Sequence, residues 1–163
     1  RLFKEIDQAQ ALLMVALVLA GASASFVNVL NQVAALVVLS GADFLSVFGK
    51  AQLDALSYLF LRLQSQSSQA VSMFWGFWLF PFGLLVIRSR FIPKIFGILL
   101  IINGFSYVLS SFTWLLAPQY GGIVMRATMP LIFIGELSIM FWFLFKGVRE
   151  TAEYPAPSAQ ALA

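Results

Sequence analysis

Glu136 is the residue whose chemical type stands out most in this sequence. It lies inside a strongly apolar stretch that runs from about Ile123 to Phe145. A carboxylate near the centre of a bilayer costs on the order of 2.5 kcal/mol or more, so such a side chain is expected to face the interior of a helix bundle. A carboxyl group held there could exchange a proton, bind a cation or contact a ligand headgroup. The alternative is a neutral Glu136 that hydrogen-bonds a neighbouring helix and fixes its packing.

Asn103 is the candidate partner of Glu136, because it lies near the middle of the apolar run that precedes the Glu136 run. Further polar residues follow Asn103 at helical spacing, at i+3, i+7 and i+10. They are Ser106, Ser110 and Thr113. This spacing makes one face of the helix polar. The alternative is ordinary interhelical hydrogen bonding, together with serine and threonine bonds back to their own helix.

Small residues mark a neighbouring face of the same helix. They recur every seven residues, at Gly97, Gly104 and Ser111. Small side chains let two transmembrane helices approach closely, because no bulky group separates the two backbones. The repeat therefore predicts that another helix packs tightly against this face.

The residue types that support most catalytic and metal sites are missing from this sequence. Its 163 residues include no cysteine and no histidine. This composition excludes thiol nucleophiles, zinc sites built on cysteine or histidine, histidine-ligated haem and the usual base of an activated serine. An intramembrane aspartyl protease needs two buried acids, whereas the predicted spans contain only Glu136. We therefore expect no catalytic residues, no metal site and no cofactor.

The elements that position these residues are predicted to be membrane-spanning helices. The chain is 61% apolar and only 10% charged, with a mean hydropathy of +0.91, well outside the range of soluble domains. A helix needs roughly 20 residues to cross the hydrocarbon core. The composition therefore predicts an all-α, polytopic membrane protein in which residues 1–148 form a single domain. Four spans are expected, at about residues 9–38, 70–87, 93–116 and 123–145.

The segments around the second span have patterns of their own. Residues 50–68 repeat leucine and phenylalanine at helical spacing opposite a polar side, which predicts an amphipathic helix at the non-cytoplasmic interface. The alternative is an extension of the next span. Pro81 predicts a kink near residues Phe77 to Pro81, because proline removes a backbone donor. Residues 119–122 are expected to form a loop before the fourth span.

Amide side chains are concentrated at the outer ends of the first two apolar segments. They are Asn28, Asn31 and Gln32 in the first segment and Gln64, Gln66 and Gln69 in the second. If the two groups meet, they form a polar cluster at a cavity mouth near the outer surface. The alternative is a plain helix end. The run from Ser40 to Asp43 then predicts where the first helix stops.

Basic residues flank the predicted spans and set their orientation. They are Arg88, Arg90, Lys94, Lys146 and Arg149. Short loops rich in lysine and arginine stay on the cytoplasmic side of a membrane. We therefore expect a multi-pass protein of the plasma membrane with both termini in the cytoplasm and a flexible tail over residues 149–163. The net charge of +3 is explained by these flanking residues, so nucleic acid is not an expected partner.

Three stretches resemble a bacterial and archaeal membrane-protein family, domain of unknown function 4386. They are LNQVAALVVLSGADFLSVF, FWGFWLFPFGLLVIRSRFIPKIFGILLIINGFSYV and IGELSIMFWFLFKGV. The resemblance covers most of residues 11–148 and implies a helical multi-pass protein, without implying any chemistry. Members of the family extend further at the N-terminus, so the resemblance also implies that this chain is a fragment.

These observations favour an accessory or scaffold membrane protein that binds lipid or another membrane protein. The lipid bilayer is the expected partner, with a second membrane protein as a further candidate. The alternative function is a small transporter-like or proton-coupled protein that uses Glu136. A polar cavity that reaches Glu136 would favour transport, whereas a carboxyl sealed by Asn103 would favour packing.

Overall fold

The computed structural model describes residues 3–146, of which 87% are helical. Its helices are α1 Gln8–Leu39, α2 Lys50–Phe77, α3 Leu79–Arg88, α4 Lys94–Leu116 and α5 Pro118–Lys146, with a short 3-10 turn at Asp43–Leu45. No strand occurs in the described part of the chain. Within residues 3–146, and with α2 and α3 taken together, four helices are long and apolar enough to cross a membrane. The predicted all-α membrane fold is confirmed.

The first helix is longer than a membrane span requires. α1 begins after Asp7, whose carboxylate accepts a hydrogen bond of 3.1 Å from the backbone N–H of Gln10. It ends at Leu39, two residues before Gly41, which has a φ of 72° that favours glycine. The predicted stop is therefore found where expected. The 32 residues of α1 extend about 48 Å, compared with about 30 Å for a hydrocarbon core.

The amphipathic segment 50–68 is not a separate interfacial helix. It forms the first part of α2, which continues without a break from Lys50 to Phe77. No glycine or proline lies between Lys50 and Trp75, so nothing in the sequence interrupts the helical hydrogen bonds. The structure therefore has the alternative arrangement, in which this segment extends the second span.

The helix is interrupted at Trp78, which ends α2 and begins α3. Pro81 is buried in the first turn of α3, where its ring nitrogen cannot donate to the carbonyl of Phe77. The interruption lies in the interval from Phe77 to Pro81, where the kink was predicted.

The predicted loop at residues 119–122 is helical instead. α4 ends at Leu116 and α5 begins at Pro118, so Ala117 alone separates the two helices. Proline is well suited to the first turn of a helix because its φ is already helical and its missing N–H would have no partner there. The sequence suggested a loop because Gly121 and Gly122 follow, but both belong to α5.

The helices pack in a fixed order around α4. α4 contacts α2, α3 and α5, whereas α1 contacts α2 and α3 from the other side. α1 and α5 therefore lie at opposite edges of the bundle. The fully buried apolar side chains come from α3 and α4, and the largest are Leu79, Leu85, Val86 and Leu100.

One end of the bundle is held together by the N-terminal segment, and we call it the basic end because Arg88, Lys94 and Lys146 lie there. The ring of Phe3 lies edge-on to Phe82 and stacks on a third ring, Phe91. Asp7 forms an ion pair with Arg88. These contacts fix the start of the chain against the turn between α3 and α4.

At the opposite end, α1 and α2 extend past the other helices. The hydroxyl groups of Ser72 and Ser111 are 2.6 Å apart, which places these residues of α2 and α4 at one level. From that level α2 continues to Lys50, roughly 25 Å beyond the end of α4. α1 accompanies it for about 16 Å past Asn28. We call residues 29–63 the projecting hairpin.

Candidate functional site

Glu136 lies half-buried on α5, and its neighbour from α4 is Tyr107. The phenol and the carboxyl group lie near each other where α4 meets α5. Sequence reasoning did not identify Tyr107. The available signal was its spacing, because Tyr107 is four residues after Asn103 and so lies one helical turn further along the same side of α4.

Asn103 is fully buried at the interface of α4 and α5. Its side-chain amide donates a hydrogen bond of 3.0 Å to the carbonyl oxygen of Ile132. In a regular helix that carbonyl also accepts the backbone N–H of Glu136, four residues later. The structure therefore brings Asn103 to the α5 backbone beside Glu136, and the expected bond from Asn103 to the carboxyl group is not the one that forms.

A glycine makes this close approach possible. A Cβ atom at Gly135 would lie 2.8 Å from the side-chain nitrogen of Asn103. Such a distance is too short for a side chain at position 135, so the interface needs glycine there. The amide oxygen of Asn103 is buried, and within residues 3–146 it has no hydrogen-bond partner. We define the candidate site as Glu136, Tyr107 and Asn103.

The rest of the polar face of α4 is satisfied by short-range bonds. Ser110 shares a hydrogen bond of 2.8 Å with Thr128 of α5. Ser106 donates to the carbonyl oxygen of Ile102 at 3.0 Å, and Thr113 donates to that of Leu109 at 2.7 Å. The face therefore combines interhelical bonding with bonds back to its own helix, as in the alternative interpretation.

The small-residue face of α4 packs against α2 and α3, as predicted. A Cβ atom at Gly104 would lie 2.9 Å from the carbonyl oxygen of Gly76, and one at Gly97 would lie 2.6 Å from that of Gly83. The hydroxyl of Ser111 completes the row through its bond to Ser72. We call this row the glycine seam. The sequence identified its α4 half but not its α2 and α3 half.

The candidate site has limited chemical capacity. The carboxyl and phenol groups can share a proton, and the amide oxygen of Asn103 can accept a hydrogen bond. Within residues 3–146 no three acidic, histidine or cysteine side chains lie close enough together to hold a metal ion. The cavities beside Asn28, beside Trp114 and at the turn between α3 and α4 are each lined by other residues.

The predicted amide cluster is present in part. The side-chain amide of Asn28 donates to the carbonyl oxygen of Gln64 at 3.0 Å and to the hydroxyl of Ser68 at 2.9 Å. Asn31 donates to the amide oxygen of Asn28 at 3.0 Å. The two bonds of Asn28 join α1 to α2 where the projecting hairpin begins, and they border a cavity of about 190 Å³.

The residues expected to set the orientation lie together where the structure describes them. Arg88 ends α3, Lys94 begins α4, and Arg90 lies in the turn between them. Lys146 ends α5 at the same end of the bundle, because the rings of Phe96 and Trp142 meet there. Arg149 and the predicted tail at residues 149–163 lie outside the described residues.

The projecting hairpin has its own small core and a large apolar surface. Its core is formed by Ala35, Val38, Leu45 and Ser57, all buried. Leu30 and Leu36 of α1 point away from this core and are 63% and 69% exposed. The charged residues of the hairpin are outside its α1 part, at Asp43, Lys50, Asp54 and Arg62. The α1 side of the hairpin is therefore largely apolar, although it lies beyond the end of α4 and includes the exposed Gln32.

The fold and the candidate site define a polytopic helical membrane protein in which the carboxyl group of Glu136 lies where α4 meets α5. The chain belongs to the family described as "Domain of unknown function (DUF4386)", which matches residues 1–147. The predicted family resemblance is confirmed. No curated protein and no solved structure matches the chain.

Proposed function

We propose that this chain is an accessory membrane protein that binds another membrane protein through its projecting hairpin. In this proposal it resides in the plasma membrane with the basic end in the cytoplasm, so the hairpin lies on the non-cytoplasmic side. It has no catalytic activity of its own, a proposal supported by the lack of cysteine and histidine in the sequence. The observation that carries the proposal is the exposed apolar side of the hairpin.

The length of α4 supports the proposal that this surface lies outside the hydrocarbon core. The 23 residues of α4 extend about 34 Å, which already spans the core. Residues 29–39 of α1 lie past its far end and remain strongly apolar. In water their exposed apolar side chains, such as Leu30 and Leu36, would form a surface of the kind that marks an interaction site.

In this proposal the apolar side of the hairpin is not buried in the bilayer surface, because α1 and α2 are both continuous through the membrane boundary. α1 has no break between Gln8 and Leu39, and α2 has none between Lys50 and Phe77. The hairpin therefore keeps the direction of the spans and leaves the membrane instead of lying flat on it. A helical partner that also rises from the membrane can cover its apolar side.

Site-specific photocrosslinking in cells tests this proposal. A photoreactive amino acid in place of Leu36 is expected to crosslink a single partner protein. The matched control replaces Leu116, which is also apolar and 76% exposed but lies at the end of α4. Crosslinks to lipid alone at position 36 would contradict the proposal. Crosslinks to a second copy of the chain would also contradict it, because they would show that the hairpin forms a homodimer and does not bind a different protein.

A second candidate function is proton-linked transport, which the pairing of Glu136 with Tyr107 favours. The carboxyl and phenol could pass a proton between α5 and α4 within the membrane. Proteoliposomes with an internal pH dye test this function. If it holds, Glu136→Gln abolishes proton movement that the unaltered protein supports; if the unaltered protein moves no protons, this candidate fails.

A further inference from the structure

The turn between α3 and α4 forms a cavity at the basic end of the bundle. Its volume is about 530 Å³. Arg88, Arg90 and Lys94 line it, together with the apolar side chain of Ile87. Three cations and an apolar wall are therefore gathered in one concave site at the end of two spans.

The positive charge around this cavity is only partly balanced. Arg88 is paired with Asp7, but within residues 3–146 neither Arg90 nor Lys94 forms an ion pair. Lys94 also begins α4, whose first turn contains no acidic residue and has no side-chain cap. The helix dipole disfavours a cation at that position. An anion bound beside Lys94 would balance the excess positive charge and would also interact favourably with the N-terminus of α4.

The turn that carries these cations is held in place by its other residues. Ile92 and Ser89 are buried, and the hydroxyl of Ser89 donates to the carbonyl oxygen of Val86 at 2.8 Å. Phe91 stacks on Phe3 of the N-terminal segment. The cavity is therefore preorganised, and an anion that enters it needs little rearrangement of the backbone.

We propose that this cavity binds the phosphate group of an anionic lipid headgroup. Orientation in the membrane requires only that cations lie on one side, whereas here three cations line one open cavity beside the apolar side chain of Ile87. Arg90 and Lys94 bind the phosphate oxygens, and Ile87 contacts the glycerol region. The proposal is independent of the projecting hairpin, because the two sites lie at opposite ends of the bundle.

Native mass spectrometry of the delipidated protein with added lipid tests the proposal. We expect phosphatidylglycerol to bind more tightly than phosphatidylcholine. The double substitution Arg90→Gln and Lys94→Gln should weaken phosphatidylglycerol binding roughly tenfold or more, since each cation near a membrane surface contributes about a fivefold factor. Lys146→Gln is the matched control, because it removes a cation at the same end but outside the cavity.

Each outcome decides the proposal. Equal binding of the two lipids, or an equal loss in the Lys146→Gln control, would overturn it. Competition by inorganic phosphate at millimolar concentration would assign the site to a soluble phosphate instead of a lipid. If the double variant does not fold, crosslinking of a photoreactive phosphatidylglycerol to the unaltered protein decides the matter: labels within residues 87–94 support the proposal, and labels elsewhere overturn it.

Discussion

At the scale of single residues, the interface between α4 and α5 is specified by polar atoms in an apolar setting. Asn103 bonds the backbone of α5, Ser110 bonds Thr128, and Tyr107 lies beside Glu136. Interhelical hydrogen bonds in membranes contribute about 0.6 kcal/mol on average and up to about 1.7 kcal/mol. These contacts therefore fix the register of α4 against α5 more than they determine total stability.

Glu136→Gln is expected to leave the fold intact. A neutral amide has nearly the shape of a protonated carboxyl group and can still bond Tyr107. We expect the midpoint of thermal unfolding in detergent to change by no more than a few degrees. An unfolded or aggregated Glu136→Gln protein would show that the carboxyl group is needed in its charged form.

The contact between Glu136 and Tyr107 can be measured by a double-mutant cycle. Unfolding free energies of Tyr107→Phe, Glu136→Gln and the double variant should reveal a coupling of about 0.5–1.5 kcal/mol. The matched pair for comparison is Tyr107→Phe with Ser138→Ala, because the hydroxyl of Ser138 bonds the carbonyl oxygen of Ile134 in its own helix. A Glu136 coupling no larger than that of the Ser138 pair would mean that the two side chains do not interact.

The candidate site was only half predictable from sequence. Glu136 and Asn103 could be found because each is a polar residue in the middle of an apolar run, and the cost of burying it requires a neighbour. The actual contacts could not be found, because sequence does not give the rotation of α4 against α5. That rotation brings Tyr107 to Glu136 and turns Asn103 toward the backbone of Ile132.

At the scale of helices, the glycine seam brings the backbone of α4 close to those of α2 and α3. Gly76 and Gly83 meet Gly104 and Gly97 with backbones so close that any Cβ atom would touch a carbonyl oxygen. Close backbone contact gives membrane helices their packing energy where lipid supplies no hydrophobic driving force.

Gly76→Ala is expected to destabilise the protein by about 1–3 kcal/mol, because the added methyl would overpack the seam. Its Cβ atom would lie 2.7 Å from the carbonyl oxygen of Gly104, and a backbone atom cannot move aside cheaply. The matched control is Gly122→Ala in α5, where nothing lies within 4 Å. That control should be neutral or slightly stabilising, because alanine favours a helix over glycine. Equal unfolding midpoints for the two variants would refute a tight seam.

The position of α4 followed from its apolar run, because a span was predicted at about residues 93–116 and the helix covers Lys94–Leu116. The continuity of α2 could not be predicted from the sequence pattern. The pattern changes from amphipathic to apolar within α2 because the surroundings of the helix change, although the helix itself continues from Lys50 to Phe77. The partner face of the glycine seam was missed because sequence does not show which helix packs on which.

At the scale of the whole molecule, the two ends of the bundle differ in the chemistry of their surfaces. The described basic end has more cations than anions, whereas the hairpin has an apolar side beyond the end of α4. A positive end beside anionic lipid and an apolar surface beside a protein partner are consistent with one orientation in the membrane.

The proposed orientation can be measured with single cysteines, because the sequence contains none of its own. In intact cells a reagent that cannot cross the membrane should label Gln119→Cys but not Glu5→Cys. Both positions are exposed, and they lie at opposite ends of the bundle. After the cells are opened, both should react. The reverse pattern would place the basic end outside the cell.

The most direct test of the central proposal is native mass spectrometry of the full-length protein released from its own membranes in mild detergent. We predict a stoichiometric complex with one other membrane protein. The complex should be lost in Leu36→Gln and retained in Leu116→Gln, which makes the same apolar-to-amide change at an exposed site outside the hairpin. A bare monomer from unaltered cells, or a complex that survives Leu36→Gln, would contradict the proposal that the hairpin binds a partner.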